Sequence, residues 1–279
     1  MLRGRGWFSV GALIALSTGC SLVVSTSGLT GGGDTPTNEG GVDGGAGDAA
    51  ADVSADATDA RPTPDAGDGG NTPFCASLTT KPTFCADFDV GALGDLGSLV
   101  GSPALDTSAF VSSPRSLLAT VQGSDTNRSS CLSTALNATP AALEVRFKAR
   151  IDESAPAQGI EVLNVLFAKP QGSCNVIYST RDGEWTFDEY CSVNDTTTLV
   201  DIHRTGVKVV AGAWVSITSK VDLTSKKASV SLDGALPVDV TLSPGLTTGP
   251  ATLTVGINYV EVGTARSRVH VDDVFVDVK

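Results

Sequence analysis

The sequence contains little of what most hydrolytic and metal-dependent active sites are built from. It has two histidines, His203 and His270, and neither lies in a Gly-x-Ser-x-Gly or His-Glu-x-x-His motif. Its six cysteines include no Cys-x-x-Cys pair and no Cys/His cluster of the kind that binds zinc. These absences argue against a histidine-dependent hydrolase and against a zinc-binding domain.

Basic and aromatic residues are also few. Lys and Arg number 19 against 31 Asp and Glu, which gives a formal net charge of −12. A nucleic-acid-binding protein needs a basic patch, and this chain has none, so we expect no nucleic-acid partner. Aromatic residues make up only 5% of the chain, which leaves few rings that could stack against sugars.

Residues 1–19 have the organisation of an export signal. Arg3 and Arg5 form a positively charged region, and roughly ten mostly apolar residues follow, too few to span a bilayer. Small residues then precede Cys20. We therefore predict a signal peptide that ends before this cysteine.

The end of this segment resembles a bacterial lipobox, although the usual leucine lies one place early, at Leu16. The resemblance implies that Cys20 becomes the mature N-terminus and is acylated, for example with palmitate, which would anchor the chain to a membrane. In similar lipoproteins, a residue other than Asp after the cysteine, here Ser21, allows transfer to the outer membrane. An uncleaved transmembrane anchor is the alternative interpretation.

Residues 20–73 are predicted to form a linker after the lipidated cysteine. From Gly28 to Pro73 the sequence is rich in Gly, Asp and Ala, lacks aromatic residues, and carries nine acidic residues against the single Arg61. Such a segment cannot bury enough apolar surface to offset the entropy lost on ordering. We predict a disordered tether that its own negative charge keeps extended.

Residues 74–279 form the predicted folded domain. Short alternating or apolar runs, such as LEVRFKARI, WVSITSKVDL and RVHVDDVFVDV, are separated by clusters of Gly, Asp, Asn, Ser and Pro. No long stretch keeps a 3.6-residue period, and strands do not alternate with helices. The pattern therefore predicts an all-β domain, an antiparallel β-sandwich.

The last run of the domain changes phase. The alternation of its valines slips by one position at Asp272-Asp273. A β-bulge at that point would direct all five valines to the core: Val269, Val271, Val274, Val276 and Val278. His270 falls on the solvent side of this register, so we expect it to be exposed.

Four segments of the domain resemble concanavalin A-like lectin/glucanase jelly rolls, including laminin-G-like domains. They are FCADFD, SSPRSLLATV, GAWVSITSKVDLTSKKASVSLDG and RVHVDDVFVDV. The resemblance covers nearly all of residues 84–279 and implies an antiparallel jelly roll. Galactose-binding-like carbohydrate modules end in a similar strand but are usually shorter. The tether followed by a sandwich also resembles surface lipoproteins of myxobacteria-like bacteria.

The segment CNVIYSTRDGEWTFDEYC, residues 174–191, predicts a hairpin that is stapled by a disulfide. Asp182-Gly183 favours a two-residue type I′ turn, and the register that follows places Cys174 opposite Cys191. In that register the two Cα atoms lie roughly 4.5 Å apart, which a disulfide can bridge.

The other cysteines leave more than one pairing open. Cys75 and Cys85 bracket a short loop that a second disulfide could close. Cys131 is then an odd thiol in an oxidising compartment. It either stays buried or replaces a partner in one of the two proposed pairs.

The hairpin register also separates two faces. The apolar face is predicted to join the core: Val176, Tyr178, Thr180, Trp185 and Phe187. The polar face holds the best candidates for contacts with a sugar, namely Asn175, Arg181, Asp188 and Tyr190. A solvated sheet face without a ligand is the alternative. Glu184 and Asp188 on this face lie about 14 Å apart, too far for the carboxylate pair of a glycosidase.

Four acidic residues are candidates for a structural calcium site. Asp87 and Asp89 alternate with Phe88 in the predicted first strand, and Asp272 and Asp273 lie at the phase change of the last strand. In related jelly rolls these two strands often pair, and acidic residues there hold calcium, which prefers oxygen ligands. Ordinary solvated strand residues are the alternative interpretation.

These features favour a non-enzymatic protein of the cell envelope, anchored by lipid, whose sandwich binds carbohydrate or another extracellular partner. The outer membrane is the expected location, with the domain facing the surface or the periplasm. A structural or adhesin-type protein without a small ligand is the second hypothesis, and a polysaccharide hydrolase or lyase is the third. Apart from the candidate calcium, no cofactor is expected.

Overall fold

A computed structural model describes residues 73–123, 128–154, 159–194, 196–261 and 265–279. The predicted signal peptide, Cys20 and the tether up to residue 72 lie outside the described residues. Within the described ranges, none of the helices has the length and apolar character needed to cross a membrane.

The domain consists of fifteen strands and two four-residue helices among the described residues. The helices are α1 (Phe74–Ser77) and α2 (Leu93–Leu96). The strands are β1 (Phe84–Ala86), β2 (Ser98–Val100), β3 (Ala104–Asp106), β4 (Ser116–Val121), β5 (Ser130–Ala135), β6 (Ala142–Glu153), β7 (Ile160–Lys169), β8 (Gly172–Arg181), β9 (Glu184–Val193), β10 (Thr196–Lys208), β11 (Trp214–Asp222), β12 (Lys227–Leu232), β13 (Val238–Thr241), β14 (Ala251–Val260) and β15 (Ser267–Val278).

The strands form two antiparallel sheets. The eight-stranded sheet has the order β13-β12-β11-β6-β15-β4-β3, and β1 also pairs with β15. The seven-stranded sheet has the order β10-β9-β8-β7-β14-β5-β2. The domain is the antiparallel β-sandwich that the strand pattern predicts, with the jelly-roll arrangement that the resemblance implies.

One hydrophobic core lies between the sheets, built from the inward-facing residues of each strand. In β11, Val215, Ile217 and Val221 are buried, as the alternation predicts. The two sheets meet through aromatic rings: Phe147 of β6 and Tyr178 of β8 make an edge-on contact with ring centroids 5.4 Å apart. Each large apolar side chain that is fully buried in this way contributes about 1.5–3 kcal/mol.

The predicted bulge in the last strand is confirmed. The pairing of β15 with β6 is in register from Val269 to Asp272 and resumes, shifted by one residue, at Phe275. Asp273 has a positive φ of 50°, which absorbs the extra residue. The bulge buries the valines on both sides of it, Val269, Val271, Val274 and Val276, and leaves Val278 partly buried against the core.

The first strand is shorter than predicted. It ends at Ala86, and Phe88 has a φ of 60°, so the Asp87–Asp89 segment is a turn and does not continue the strand. The predicted pairing of the first and last strands is correct, because Phe84 lies opposite Val276.

The expectation that His270 is exposed is wrong: its side chain is fully buried. His270 lies on the outer face of the eight-stranded sheet, where the chain before β4 folds over it. The hydroxyl of Ser116, 3.0 Å from Nδ1 of His270, donates to the carbonyl of Ala109, and the Val111 N–H donates to Asp272. The alternation within one strand cannot reveal that a distant loop covers it.

Candidate functional site

The hairpin of β8 and β9 forms in the predicted register. Cys174 lies opposite Cys191, and the two form a disulfide with Cα atoms 4.0 Å apart. Asp182 and Gly183 have φ values of 51° and 70°, as a type I′ turn requires. The structure therefore fixes which side chains of the hairpin share a face.

The remaining cysteines follow one of the predicted alternatives. Cys75 and Cys85 form a second disulfide. Cys131 is buried on β5, and its sulfur takes part in neither of these bonds.

The two faces of the hairpin differ from expectation in one respect. The apolar face lies in the core as predicted. The polar face does not point freely into solvent, because most of its side chains are buried: Asn175, Ser179, Glu184, Thr186 and Asp188. These side chains bond to one another and to neighbouring strands. The hydroxyl of Ser179, for example, lies 2.7 Å from Oγ1 of Thr186 and 2.7 Å from Oδ2 of Asp188.

Three side chains on this outer face carry oxygen atoms without a hydrogen-bond partner, and we call them the acceptor triad. They are Asn164 of β7, Asn175 of β8 and Asp188 of β9, and their exposed fractions are 4%, 1% and 3%. In each of them, no described residue donates to the Oδ1 atom. Buried polar atoms in folded proteins are nearly always paired, so each of these three oxygens needs a partner from outside the described residues, such as an ordered water or a ligand.

The acceptor triad surrounds a single apolar side chain. Ile177 of β8 lies directly opposite Asn164 on one side and opposite Asp188 on the other. Asn175 precedes it by two residues and therefore shares its face. Ile177 is buried but does not belong to the hydrophobic core between the sheets. Directly opposed Cβ atoms lie about 4.5–5.5 Å apart, so the Cβ atoms of Asn164 and Asp188, on either side of Ile177, lie about 10 Å apart.

A charged network lies beside the acceptor triad. Nε of Arg181 is 3.1 Å from Oδ2 of Asp188, and its Nη1 pairs with Glu261. Glu161 of β7 accepts a hydrogen bond of 2.7 Å from the side chain of Asn258. Burial raises the pKa of Glu161 to about 7, and the charge of Asp188 adds to that rise.

The carboxylates of the hairpin do not converge on one point. Glu184 accepts a hydrogen bond of 2.6 Å from the Gly206 N–H and lies 3.3 Å from Nζ of Lys208. The Gly206 N–H, together with Lys208, lowers the pKa of Glu184. Asp188 is held by Arg181, and Glu189 points to the opposite face, where it is buried. The three carboxylates are therefore held by different neighbours.

The four residues predicted to contact a ligand share this outer face. Asn175 and Asp188 belong to the acceptor triad, and Arg181 belongs to its charged network. Tyr190 lies opposite Asn175, is half-buried, and places its hydroxyl 2.7 Å from Oγ1 of Thr197. Sequence reasoning missed Asn164, although it is the one uncharged polar residue in the apolar run IEVLNVLFA.

The four candidate calcium ligands are brought together by the turn after β1 and the bulge of β15. The charges of Asp87 and Asp273 both raise the pKa of Asp89, although burial is the largest cause. Burial, with the charge of Asp273, raises the pKa of Asp272 to about 8. The turn after β1 and the bulge of β15 therefore each contribute two carboxylates to one weakly solvated region.

The fit of this cluster to calcium is partial. Oδ2 of Asp89 and Oδ1 of Asp273 are buried and have no hydrogen-bond partner among the described residues, as cation ligands would. In contrast, Asp87 accepts from the Cys75 N–H, and Asp273 lies 2.9 Å from Nζ of Lys148. No three of these carboxylates bring an oxygen each within 4.8 Å of one another. Calcium binding at this cluster therefore requires the carboxylates to move closer.

A second group of possible metal ligands is more compact than the four aspartates. Glu189, Asp201 and His203 each place one ligand atom within 4.8 Å of the others, the only such group in the part of the chain that the structure describes. Nε2 of His203 is 2.9 Å from Oε1 of Glu189 and 3.9 Å from Oδ2 of Asp201. The Ser243 N–H donates to the second oxygen of Glu189. This mixed nitrogen and oxygen set is chemically suited to a divalent transition metal.

No protein-family model and no curated protein sequence matches the chain. Among solved structures, the cellulose-induced protein Cip1 aligns with a TM-score of 0.48 and 12% identity, over 70% of this chain and 97% of that one. An alginate lyase of polysaccharide lyase family 7 aligns with a TM-score of 0.46 and 13% identity, over 64% of this chain and 85% of that one.

A structure of botulinum neurotoxin type C, from work on its interaction with two ganglioside molecules, aligns with a TM-score of 0.47 and 13% identity. The alignment covers 65% of this chain, which spans 42% of the toxin chain. At these identities no side-chain role carries over from any of the three proteins to this one.

Proposed function

We propose that the domain binds carbohydrate, without changing it chemically, on the outer face of the seven-stranded sheet. The observation that carries the proposal is the acceptor triad around Ile177. Sugars combine hydroxyl donors with apolar C–H faces, and this arrangement offers three acceptors around an apolar centre.

The energetics of the acceptor triad support a ligand that donates hydrogen bonds. A buried acceptor that stays unpaired costs about 1–3 kcal/mol. Ligand hydroxyls that reach the Oδ1 atoms of Asn164, Asn175 and Asp188 would recover part of that free energy.

The proposal places the protein at the cell envelope. The lipidated Cys20 would hold it in the outer membrane, and the acidic tether would extend the sandwich away from that membrane. The two disulfides fit an oxidising compartment.

A glycan and polysaccharide panel on the purified full-length chain tests this function. We expect saturable binding to at least one glycan, weakened about tenfold by Asn164→Leu, which removes one acceptor from the triad and keeps a side chain with the same branching. Thr218→Ala, at an exposed position of the other sheet, is the matched control and should bind as the wild type does. Saturable binding that Asn164→Leu leaves unchanged would show that the glycan binds away from the acceptor triad. An absence of binding to every glycan would favour the structural or adhesin-type alternative.

One observation favours polysaccharide hydrolysis or elimination as a second candidate function. Glu161 has a pKa of about 7, where a general acid or base works best, and it faces Asp188 on the same sheet. Incubation with each glycan that binds, followed by assays for new reducing ends and for unsaturated products, tests this candidate. Turnover that Glu161→Gln abolishes would establish it. Stable binding without products would favour the binding function.

A further inference from the structure

The charges that surround the acceptor triad are predominantly negative. Among the described residues, three cations lie on this face and its edge strand, and each is within ion-pair distance of a carboxylate: Arg181 with Asp188 and Glu261, Arg204 with Asp182, and Lys208 with Glu184. Asp182 and Glu184 lie at the turn of the hairpin, about 14 Å or more from Asp188, so the charges next to the triad are those of Arg181, Asp188, Glu261 and Glu161. When Glu161 is ionised, three carboxylates there face one cation.

The guanidinium closest to the triad, that of Arg181, interacts with three carboxylates. Arg181 directs Nε to Asp188 and Nη1 to Glu261, and its electrostatic neighbours also include Glu161. A cation committed to three carboxylates has little attraction left for an anionic ligand, because the net charge of that group of four is negative.

The unpaired atoms of the triad also favour a hydroxyl over an anionic group. All three are oxygens that accept hydrogen bonds, and the Oδ1 atom of Asp188 belongs to a carboxylate. A hydroxyl can donate to each of them, whereas a carboxylate or sulfate has no proton to donate and would meet like charge. The site thus attracts hydroxyl groups by hydrogen bonding and repels anions by like charge.

We infer that the acceptor triad selects uncharged, hydroxyl-rich glycans and rejects those that carry a carboxylate or sulfate on the bound ring. This inference rests on the proposed function, and it goes beyond it by naming the class of glycan.

Matched glycan pairs that differ only at C6 test the inference by titration calorimetry of the full-length chain. The pairs are cellohexaose with the β-1,4-glucuronan hexamer, β-1,4-mannohexaose with the mannuronan hexamer, and fully methyl-esterified with free hexagalacturonan. At low ionic strength, we expect the neutral member of any pair that binds to bind at least tenfold more tightly. High salt should narrow that difference, because it screens the repulsion.

A charge-removing variant separates this inference from a mere preference for shape. Glu261 is 44% exposed, so Glu261→Gln should fold normally. We expect it to leave neutral glycans within twofold of wild type and to strengthen binding of the anionic partner at least threefold. Asp239→Asn, an exposed carboxylate on β13 of the other sheet, should change neither affinity.

The outcomes of these titrations are distinguishable. Tighter or equal binding of the anionic members overturns the inference and leaves carbohydrate binding in place. An unchanged ratio in Glu261→Gln also overturns it, because the selectivity would then not come from charge. No heat of binding with any of the six glycans, together with a negative panel, overturns the proposed function itself.

Discussion

His203 and Asp201 have opposite relations to the buried carboxylate of Glu189. The imidazole of His203 bonds to Oε1 of Glu189 at 2.9 Å, and its ring packs 6.0 Å from that of Phe187. Asp201, in contrast, lies directly opposite Glu189 on the neighbouring strand, where a like charge is unfavourable.

We expect His203→Ala to lower the free energy of unfolding by about 1–3 kcal/mol, because it leaves a buried carboxylate oxygen without its partner. Asp201→Asn serves as the comparison at the same site. It should be neutral within about 0.5 kcal/mol or slightly stabilising, since it removes the opposed charge from a half-exposed position. Urea unfolding monitored by tryptophan fluorescence measures both. A larger loss in Asp201→Asn than in His203→Ala would show that Asp201, not His203, stabilises the pair.

Glu161 is expected to make the domain less stable as the pH rises, whereas a carboxyl whose pKa is lowered by folding has the opposite effect. Its pKa is raised from 4.5 to about 7 in the folded protein, chiefly by burial, so the folded state retains a proton that the unfolded chain releases. The stabilising contribution of the protonated form is therefore fully present below about pH 4.5. It is lost as the pH rises towards 7.

Glu161→Gln isolates this effect, because glutamine imitates the protonated carboxyl at every pH. We expect the unfolding free energy of the wild type minus that of the variant to fall between pH 4.5 and pH 7. Urea unfolding at a series of pH values tests this. A difference that stays flat, or that rises with pH, would mean that folding does not raise the pKa of this carboxyl.

At the scale of strands and turns, residues that are close in sequence correctly predicted the register of one hairpin and the position of one bulge. The Asp-Gly turn and the two cysteines fixed the register of β8 and β9, and the slip of the valines located the bulge at Asp272-Asp273. Both features depend on residues that are close in sequence and on the two-residue period of a strand.

The parts that could not be predicted depend on contacts between distant segments. The polar face of the hairpin is buried because of its neighbours, and Asn164 joins the acceptor triad only because β7 lies beside β8. His270 is covered by a loop from residues 109–112, and the Asp87–Asp89 segment turns although its alternation is that of a strand. Strand patterns carry no information on which loop or strand becomes the neighbour.

The candidate calcium site is formed by the turn after β1 together with the bulge of β15. We propose that calcium binds Asp87, Asp89, Asp272 and Asp273, where two buried carboxylate oxygens have no hydrogen-bond partner. At a concentration of 100 times its Kd, calcium would stabilise the domain by about 2.7 kcal/mol. For a domain of this size that is a rise in Tm of about 5–10 °C.

Differential scanning fluorimetry with calcium, then with excess chelator, measures this shift. Asp89→Asn should remove most of it, and magnesium at the same concentration should produce little, because magnesium demands a stricter octahedral geometry. An unchanged Tm with saturating calcium would leave the four aspartates as an acidic cluster without a metal.

At the scale of the whole molecule, we propose that an acylated Cys20 anchors the protein while the sandwich binds its ligand. We expect Cys20→Ser to abolish metabolic labelling with palmitate and to release the protein from the membrane fraction, since Cys20 would carry the acyl chains. Cys131→Ala is the matched cysteine control and should remain labelled, because Cys131 is buried in the sandwich. Labelling that persists in Cys20→Ser would place the lipid on another residue.

The order of strands in the two sheets also determines when the domain can fold. β15 lies between β6 and β4, and β14 lies between β7 and β5, so the last two strands of the chain fill central positions in both sheets. Until residues 251–278 have been synthesised, four strands lack a central neighbour and the core has no closed form. The hairpin of β8 and β9 needs only local contacts and can form early, whereas the sandwich as a whole must wait. A nascent chain of this topology therefore cannot complete its sandwich until its last two strands have been synthesised.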